Sequence, residues 1–435
     1  MRDVDERINH QKFCHRCGNV KNESNPLCNA VHVPFASIER ESMNLYYLKP
    51  AQLDLLRNGP AKLGIEGPAG TGKTLALLLK IMYIIKEESI ANIILLAPSP
   101  HHIQCKNFLE ENNVDVQFTE AFPLQPSGIC DRKHPSKPAV RIVELKKFKD
   151  QCQDLCESER VITLHEHVFV DDLQSITTVG SPEMVEELLR RLREICVMEN
   201  PEIHVWIAYD PVQGYQEPKE ESALREQIRT YFNGVTIRML DEVLRNSRAI
   251  LEVVDIEYSD DAFHTDQSVP VRKDGHSISG PPVDWFILYG SSDHSIWKRY
   301  LKEILEKIFS EWSDIPTAFL HYDDDDIVFG HEWCSSVLRE TGKTVIDIKT
   351  YYDQGSLLHP SQIICDSQGQ VSSFEMPLII CLRESPYKYP LLSRARSKLI
   401  IIEFGANIHE IKTVEKLYPN ARLTITDPAS YQSEF

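Results

Sequence analysis

Apolar positions in this chain fall into short unbroken runs separated by stretches of helical spacing. Leu63-Gly64-Ile65-Glu66, Ala91 to Pro98, Val168-Phe169-Val170 and Ile203 to Ala208 each read as one run. Runs that are apolar throughout, rather than at every second position, belong to strands covered on both faces. Leu75 to Leu79 follows the first run with helical character. Ser181-Pro182-Glu183 opens a helix that reaches about Glu199, with Ser as N-cap and Pro in the first turn. A polar stretch rich in Gly, Pro, Ser and Asp, Ser259 to Pro282, reads as a loop or a rudimentary insertion. The alternation then resumes. Val283 to Leu288 is a strand and Ser295 to Trp312 a helix. Thr317 to His321, Val345 to Ile348, Gln362 to Cys365, Leu378 to Leu382 and Leu399 to Glu403 are further strands. Strands alternating with helices predict an α/β fold, two parallel-sheet units with helices on both faces. The sequence shows no repeat of 20–50 residues and no low-complexity tract.

Composition narrows the class. The 435 residues exceed one typical core, and 42% hydrophobic with 26% charged residues is ordinary for a soluble globular protein. No apolar run is long enough to span a bilayer, and the charged start Met1-Arg2-Asp3-Val4-Asp5-Glu6-Arg7 is not a secretory signal. The 11 cysteines, an odd number, read as reduced thiols plus one metal site, which points to cytoplasm or nucleus. A net charge of -18 argues against coating nucleic acid by bulk attraction. It leaves room for a local basic groove. Arg132, Lys133, Lys137, Arg141, Lys146, Lys147 and Lys149 face only Asp131 and Glu144. This segment, which includes Phe148, reads either as a solvated loop and helix face or as a phosphate-contact patch. Asp323 to Asp326 reads as a solvated loop after a strand, and Cys152 and Cys156 as structural thiols on a helix.

The sharpest chemistry lies in Gly67-Pro68-Ala69-Gly70-Thr71-Gly72-Lys73-Thr74, of the form GxxxxGKT, between a strand and a helix. The glycines let backbone N–H groups converge on phosphate oxygens, and the helix N-terminus adds partial positive charge. Lys73 is suited to the β- and γ-phosphates and the Thr74 hydroxyl to Mg²⁺, so the loop predicts binding of ATP or GTP. Val168-Phe169-Val170-Asp171-Asp172-Leu173-Gln174 carries two carboxylates off the end of an apolar strand. Asp171 would hold Mg²⁺ and Asp172 would orient or deprotonate the attacking water.

From Leu45 to Phe404 the order of motifs resembles superfamily 1 helicases of the UvrD/Rep-like and Schlafen-like type. Gln52, in Leu48-Lys49-Pro50-Ala51-Gln52, matches the glutamine that reads the adenine edge in that family, which favours ATP over GTP. Leu95-Leu96-Ala97-Pro98-Ser99-Pro100 resembles motif Ia, and Asp171-Asp172-Leu173-Gln174 the DExx box. Ala208-Tyr209-Asp210-Pro211-Val212-Gln213 resembles the GDxxQ motif, which would make Gln213 the γ-phosphate sensor; Tyr215 falls near the family's strand-binding aromatic. Leu244-Arg245-Asn246-Ser247-Arg248 resembles motif IV, assigning Arg245 to the triphosphate. Ser373-Phe374-Glu375-Met376-Pro377 resembles motif V, assigning Glu375 to the ribose. Tyr389-Pro390-Leu391-Leu392-Ser393-Arg394-Ala395-Arg396 resembles motif VI, making Arg394 the arginine finger.

Residues 1–36 read as a small Cys/His-bearing segment; the resemblance implies two RecA-like domains over 40–235 and 240–435, with single-stranded DNA or RNA crossing their top. The implied activity is ATP-dependent translocation or unwinding. The alternative is a regulatory ATPase or sensor whose ATP-closed form binds a protein partner. Three departures from the family stand out. Asp172 replaces the usual Glu, Ser372 and Ser373 replace the usual Lys or Gln and Gly, and the span from Arg245 to Glu375 is too short for a large accessory insertion. The resemblance does not reach the amino terminus. There Cys14, Cys17, Cys28 and His32 have the spacing of a Zn²⁺ site, with His10 and His15 as competing fourth ligands.

Overall fold

The computed structural model describes residues 29–31, 46–87, 92–98, 101–118, 139–144, 167–176, 186, 189–190, 203–210, 227–230, 235–263, 273–274, 280–289, 294–321, 330–354, 358–367, 374–383, 392–406 and 408–427. Cys14, Cys17, Cys28 and His32, and with them the expected zinc site, lie outside the described residues, as do Gln213, Tyr215, Ser372 and Ser373. The chain divides into two compact units, Met1–Gly59 and Pro60–Phe435.

In the first unit, β1 (Asn29–Val31) pairs antiparallel with β2 (Tyr46–Leu48). Helix α1 (Pro50–Asn58) follows, with Pro50 at its start, where a missing N–H costs nothing. Gln52 sits at its third position and is buried. Its Oε1 accepts from the Lys49 N–H at 2.9 Å, satisfying a donor at the helix entry.

The second unit holds two parallel seven-stranded sheets. The first is built from β3 (Lys62–Glu66), β4 (Asn92–Ala97), β5 (Asp115–Phe118), β6 (Ala139–Glu144), β7 (His167–Val170), β8 (Val205–Tyr209) and β9 (Thr236–Met239), in the spatial order β5-β6-β4-β7-β8-β3-β9. Helices α2 (Lys73–Glu87) and α3 (His101–Glu111) belong to it. A short strand β10 (Glu242–Val243) pairs with β11 (Lys273–Asp274), on either side of α4 (Arg248–Phe263). The second sheet is built from β12 (Asp284–Tyr289), β13 (Thr317–His321), β14 (Thr344–Ile346), β15 (Gln362–Ser367), β16 (Met376–Arg383), β17 (Ala395–Ala406) and β18 (Arg422–Thr426). Its order is β14-β15-β13-β16-β17-β12-β18. Helices α5 (His294–Glu311), α6 (His331–Glu340), α7 (Ile348–Asp353) and α8 (Ile408–Leu417) accompany it.

Ranked by chain order within each sheet, the strands of both run third, fourth, second, fifth, sixth, first, seventh. The molecule is one topology built twice, with β3 corresponding to β12, β7 to β16 and β8 to β17. The interior strands are those whose sequence is apolar on both faces. Ile93 to Ala97, Val168 to Val170 and Ile379 to Ile380 are fully buried.

Several sequence expectations are corrected. The polar stretch from Ser259 is not a loop at its start, because α4 continues to Phe263, and β11 lies within it. Ile348 belongs not to a strand but to α7, whose N-cap Asp347 accepts from the Thr350 N–H. The basic segment is not a loop and helix face in its middle. Strand β6 runs through it between β5 and β4, burying Val140, Ile142 and Val143 and leaving Arg141 half-buried.

Candidate active site

In a parallel sheet all carboxyl ends lie along one edge, so the loops after neighbouring strands converge. Strands β7, β8 and β3 are neighbours, and each delivers one part of the site. The turn after β3 starts when the Gly67 N–H donates to the Tyr209 carbonyl at 3.2 Å. A side chain at Gly67 would collide with the Leu240 carbonyl oxygen. Gly70 has φ 84° and faces the Arg245 Cβ at 2.9 Å from where its own Cβ would stand. The loop thus needs glycine for conformation and for close approach. Lys73, at the start of α2, turns its Nζ back to the carbonyls of Gly67 (2.7 Å) and Pro68 (3.0 Å). Burial lowers its pKa. Asp210, Asp172 and Asp171 oppose that shift, and the Arg245 guanidinium adds to it. One lysine therefore feels three carboxylates from two strand ends and a cation from beyond the first sheet.

Asp171 follows β7. Its Oδ2 accepts from the Thr74 hydroxyl at 2.8 Å, bringing together the two side chains expected to share Mg²⁺. The same oxygen lies 2.6 Å from Nε2 of His101, at the start of α3. His101 is buried, and burial disfavours its charge. Cys105 and Asp171 outweigh that and hold its pKa well above the ordinary value. Asp172 has φ 56°, in the left-handed region, where Asp is among the few non-glycine residues commonly found. Gln174 Nε2 donates to Asp172 Oδ1, and Gln174 Oε1 accepts from the Asp210 N–H at 2.9 Å. A buried glutamine thus ties the strand ends of β7 and β8 together. Asp172 thus combines a backbone conformation that Asp tolerates with a carboxylate held by the Gln174 amide.

The segment Leu244 to Ser247 connects the glycine loop to the second sheet. The Leu244 N–H donates to the Gly70 carbonyl at 2.8 Å. Asn246 Nδ2 donates to the carbonyls of Ser393 (3.0 Å) and Ala395 (2.6 Å), and the Ser247 N–H to that of Arg396 (3.3 Å). Between these anchors Arg245 Nη2 pairs with Glu375 Oε1 at 2.7 Å, while its Nε and Nη1 are buried without a hydrogen-bond partner. Arg396 Nε holds the other Glu375 oxygen at 2.9 Å. Burial opposes ionisation of Glu375, but Arg245, Arg396 and Arg394 together keep its pKa below the usual carboxylate value. Arg394 is buried at 3% exposure. Ala69 of the glycine loop joins the apolar cluster of the second sheet, with Ile250, Val254 and Trp285.

The structure therefore gathers Lys73, Thr74, Asp171, Asp172 and Arg245 around one loop, and Glu375 with Arg394 beside Arg245. The sequence reading gave no role to His101, Gln174, Asp210 or Asn246. Asp210 and Gln174 lay inside quoted motifs and could have been found there. Asn246 lay inside a quoted motif as well, but acts through contacts distant in sequence, and His101 carries no motif of its own.

No family model matches the chain, and no curated protein matches it in sequence. Solved structures do match its fold. The structure titled Mss116p (NTE and C-tail double deletion) bound to ssRNA and AMP-PNP aligns with a TM-score of 0.53 at 11% identity, over 88% of this chain and 75% of that one. The DEAD-box helicase Mss116 bound to ssRNA and UDP-BeF aligns with a TM-score of 0.52 at 11% identity, over 87% of this chain and 75% of that one. At such identity the likeness speaks for fold alone. The chain has the architecture of two RecA-like α/β domains found in helicases.

Proposed function

We propose that this chain is an ATP-dependent nucleic-acid translocase or helicase, of the superfamily 1 type its motifs resemble. The observation that carries the reading is Arg245. Its Cβ lies against Gly70 of the glycine loop, its Nη2 is held by the Glu375 carboxylate, and its buried Nε and Nη1 are left without a hydrogen-bond partner. Burying unpaired donors is costly, and a phosphate oxygen would satisfy them. The same cradle fits the triphosphate, since Gly67 and Gly70 leave no room for a side chain.

In this reading Lys73 exchanges its two loop carbonyls for phosphate oxygens, and Thr74 with Asp171 holds Mg²⁺. Bound Mg-ATP supplies the transferable phosphoryl group. Asp172, fixed by Gln174, orients or deprotonates the water. Arg245 and Arg394 stabilise charge that develops on transfer. Gln52 is assigned to the adenine and Gln213 to sensing the γ-phosphate. Both oxygens of Glu375 engage arginines, so its assigned ribose contact requires one pair to open. Single-stranded DNA or RNA is the proposed partner, supported by the fold. The second reading, a regulatory ATPase that binds a protein partner, is favoured by the net charge of -18.

The test is steady-state ATP hydrolysis with and without single-stranded DNA and RNA. The translocase reading expects several-fold stimulation by at least one of them, and no hydrolysis in Lys73→Ala. Hydrolysis indifferent to both strands favours the regulatory reading. Undiminished turnover in Lys73→Ala would refute the nucleotide site.

A further inference from the structure

We propose that His321, His331 and Cys365 form a Zn²⁺ site on the second sheet, with a water in the fourth position, sharing no residue with the nucleotide site. The three come from three elements. His321 ends β13, His331 opens α6, and Cys365 lies in β15, the neighbour of β13, opposite Phe319. One nitrogen from each histidine and the Cys365 sulfur all lie within 4.8 Å of one another.

The spacing of the two imidazoles fits a metal, and the Cys365 sulfur lies within reach of both. Nε2 of His321 and Nδ1 of His331 are 3.3 Å apart. A tetrahedral zinc with bonds of about 2.0–2.1 Å to nitrogen has N···N edges of about 3.3–3.4 Å. Two neutral imidazoles facing each other share a single proton, whereas a cation satisfies both lone pairs. Two nitrogens and a sulfur select Zn²⁺ over Mg²⁺ or Ca²⁺, which take oxygen. His331 Nε2 is 3.3 Å from the Ser335 hydroxyl, the kind of outer partner that orients a metal-bound ring. His321 and Cys365 are fully buried and His331 is exposed, so the site is enclosed by the core and reached from one side.

Burial pushes the Cys365 thiol up to about 12, against a hydrogen bond from Ser335, so it is neutral without metal. Binding Zn²⁺ would displace that proton to solvent and leave a thiolate. The metal would tie β13, β15 and α6 at one edge of the sheet. No local spacing announces the site, because the ligands are 10 and 34 residues apart in sequence.

The test is metal stoichiometry on the full chain, stripped with chelator and titrated with Co²⁺ as a spectroscopic probe. The parent should bind one equivalent more than His331→Ala and one more than Cys365→Ser. The Cys365→Ser spectrum should lose thiolate-to-metal charge transfer from that equivalent. His331 is exposed, so its variant keeps the core intact even if the Cys365 change does not fold. Equal stoichiometry and affinity in the parent and His331→Ala would overturn the proposal and leave an ordinary histidine hydrogen bond beside a core thiol.

Discussion

Asp172 shows how much one residue's backbone decides. At φ 56° the backbone is in the left-handed region, which Asp and Asn enter more readily than most residues, and the carboxylate is held by Gln174. Asp172→Asn keeps the backbone and the shape and removes only the charge. It should lower kcat by roughly 10²-fold or more, the scale of a general base, with nucleotide affinity nearly unchanged. A variant that turns over at the parental rate would remove Asp172 from the chemistry. Lys73, Thr74 and Asp171 were legible in sequence because their motifs are contiguous and their chemistry needs that spacing. His101 was not, since a histidine after Pro100 says nothing of the carboxylate it meets 70 positions later.

At the scale of elements, the strap from Leu244 to Ser247 joins the glycine loop to the second sheet. It donates to the glycine loop at one end and to three carbonyls around Arg394 at the other. Asn246 is fully buried, and Asn246→Ala would leave the Ser393 carbonyl without that donor and weaken the pairing at Ala395. We expect a loss of about 1–3 kcal/mol in stability, read by denaturant unfolding. Turnover should fall further than stability alone explains, because Arg245 loses its anchor. Unchanged stability and turnover would show the strap to be incidental. Which elements the sequence revealed also has a physical reason. Interior strands such as β4, β7, β8 and β13 are apolar on both faces and stand out as runs. The edge strands β5, β9 and β18 mix exposed and half-buried positions, so no apolar run marks them. Strand β6 was hidden because Arg141 and a surrounding basic stretch mask an apolar strand.

At the scale of the whole molecule, the same strand order occurs twice, yet the halves differ in chemistry. After β3 comes Gly67 to Thr74, ending in Gly-Lys-Thr; after β12 the sequence runs Gly290-Ser291-Ser292-Asp293, with no lysine. The second sheet instead supplies Glu375 after its fourth strand and Arg394 before its sixth. In the proposed function one half would bind the triphosphate and the other would complete the charge, which would couple hydrolysis to movement between them. Two α/β units were legible in sequence from strand–helix alternation. Their shared topology was not, because it lies in strand order and not in repeated residues.

That coupling is tested most directly by Arg245→Ala, assayed for ATP turnover and, on the same protein, for nucleotide affinity. Arginines that complete a phosphoryl-transfer site from a second domain contribute roughly 10³–10⁵-fold to turnover. Turnover should fall by a factor approaching that range with a much smaller change in affinity, and any stimulation by single strands should be lost. Parental turnover in Arg245→Ala, or a fall in affinity as large as the fall in turnover, would contradict that coupling.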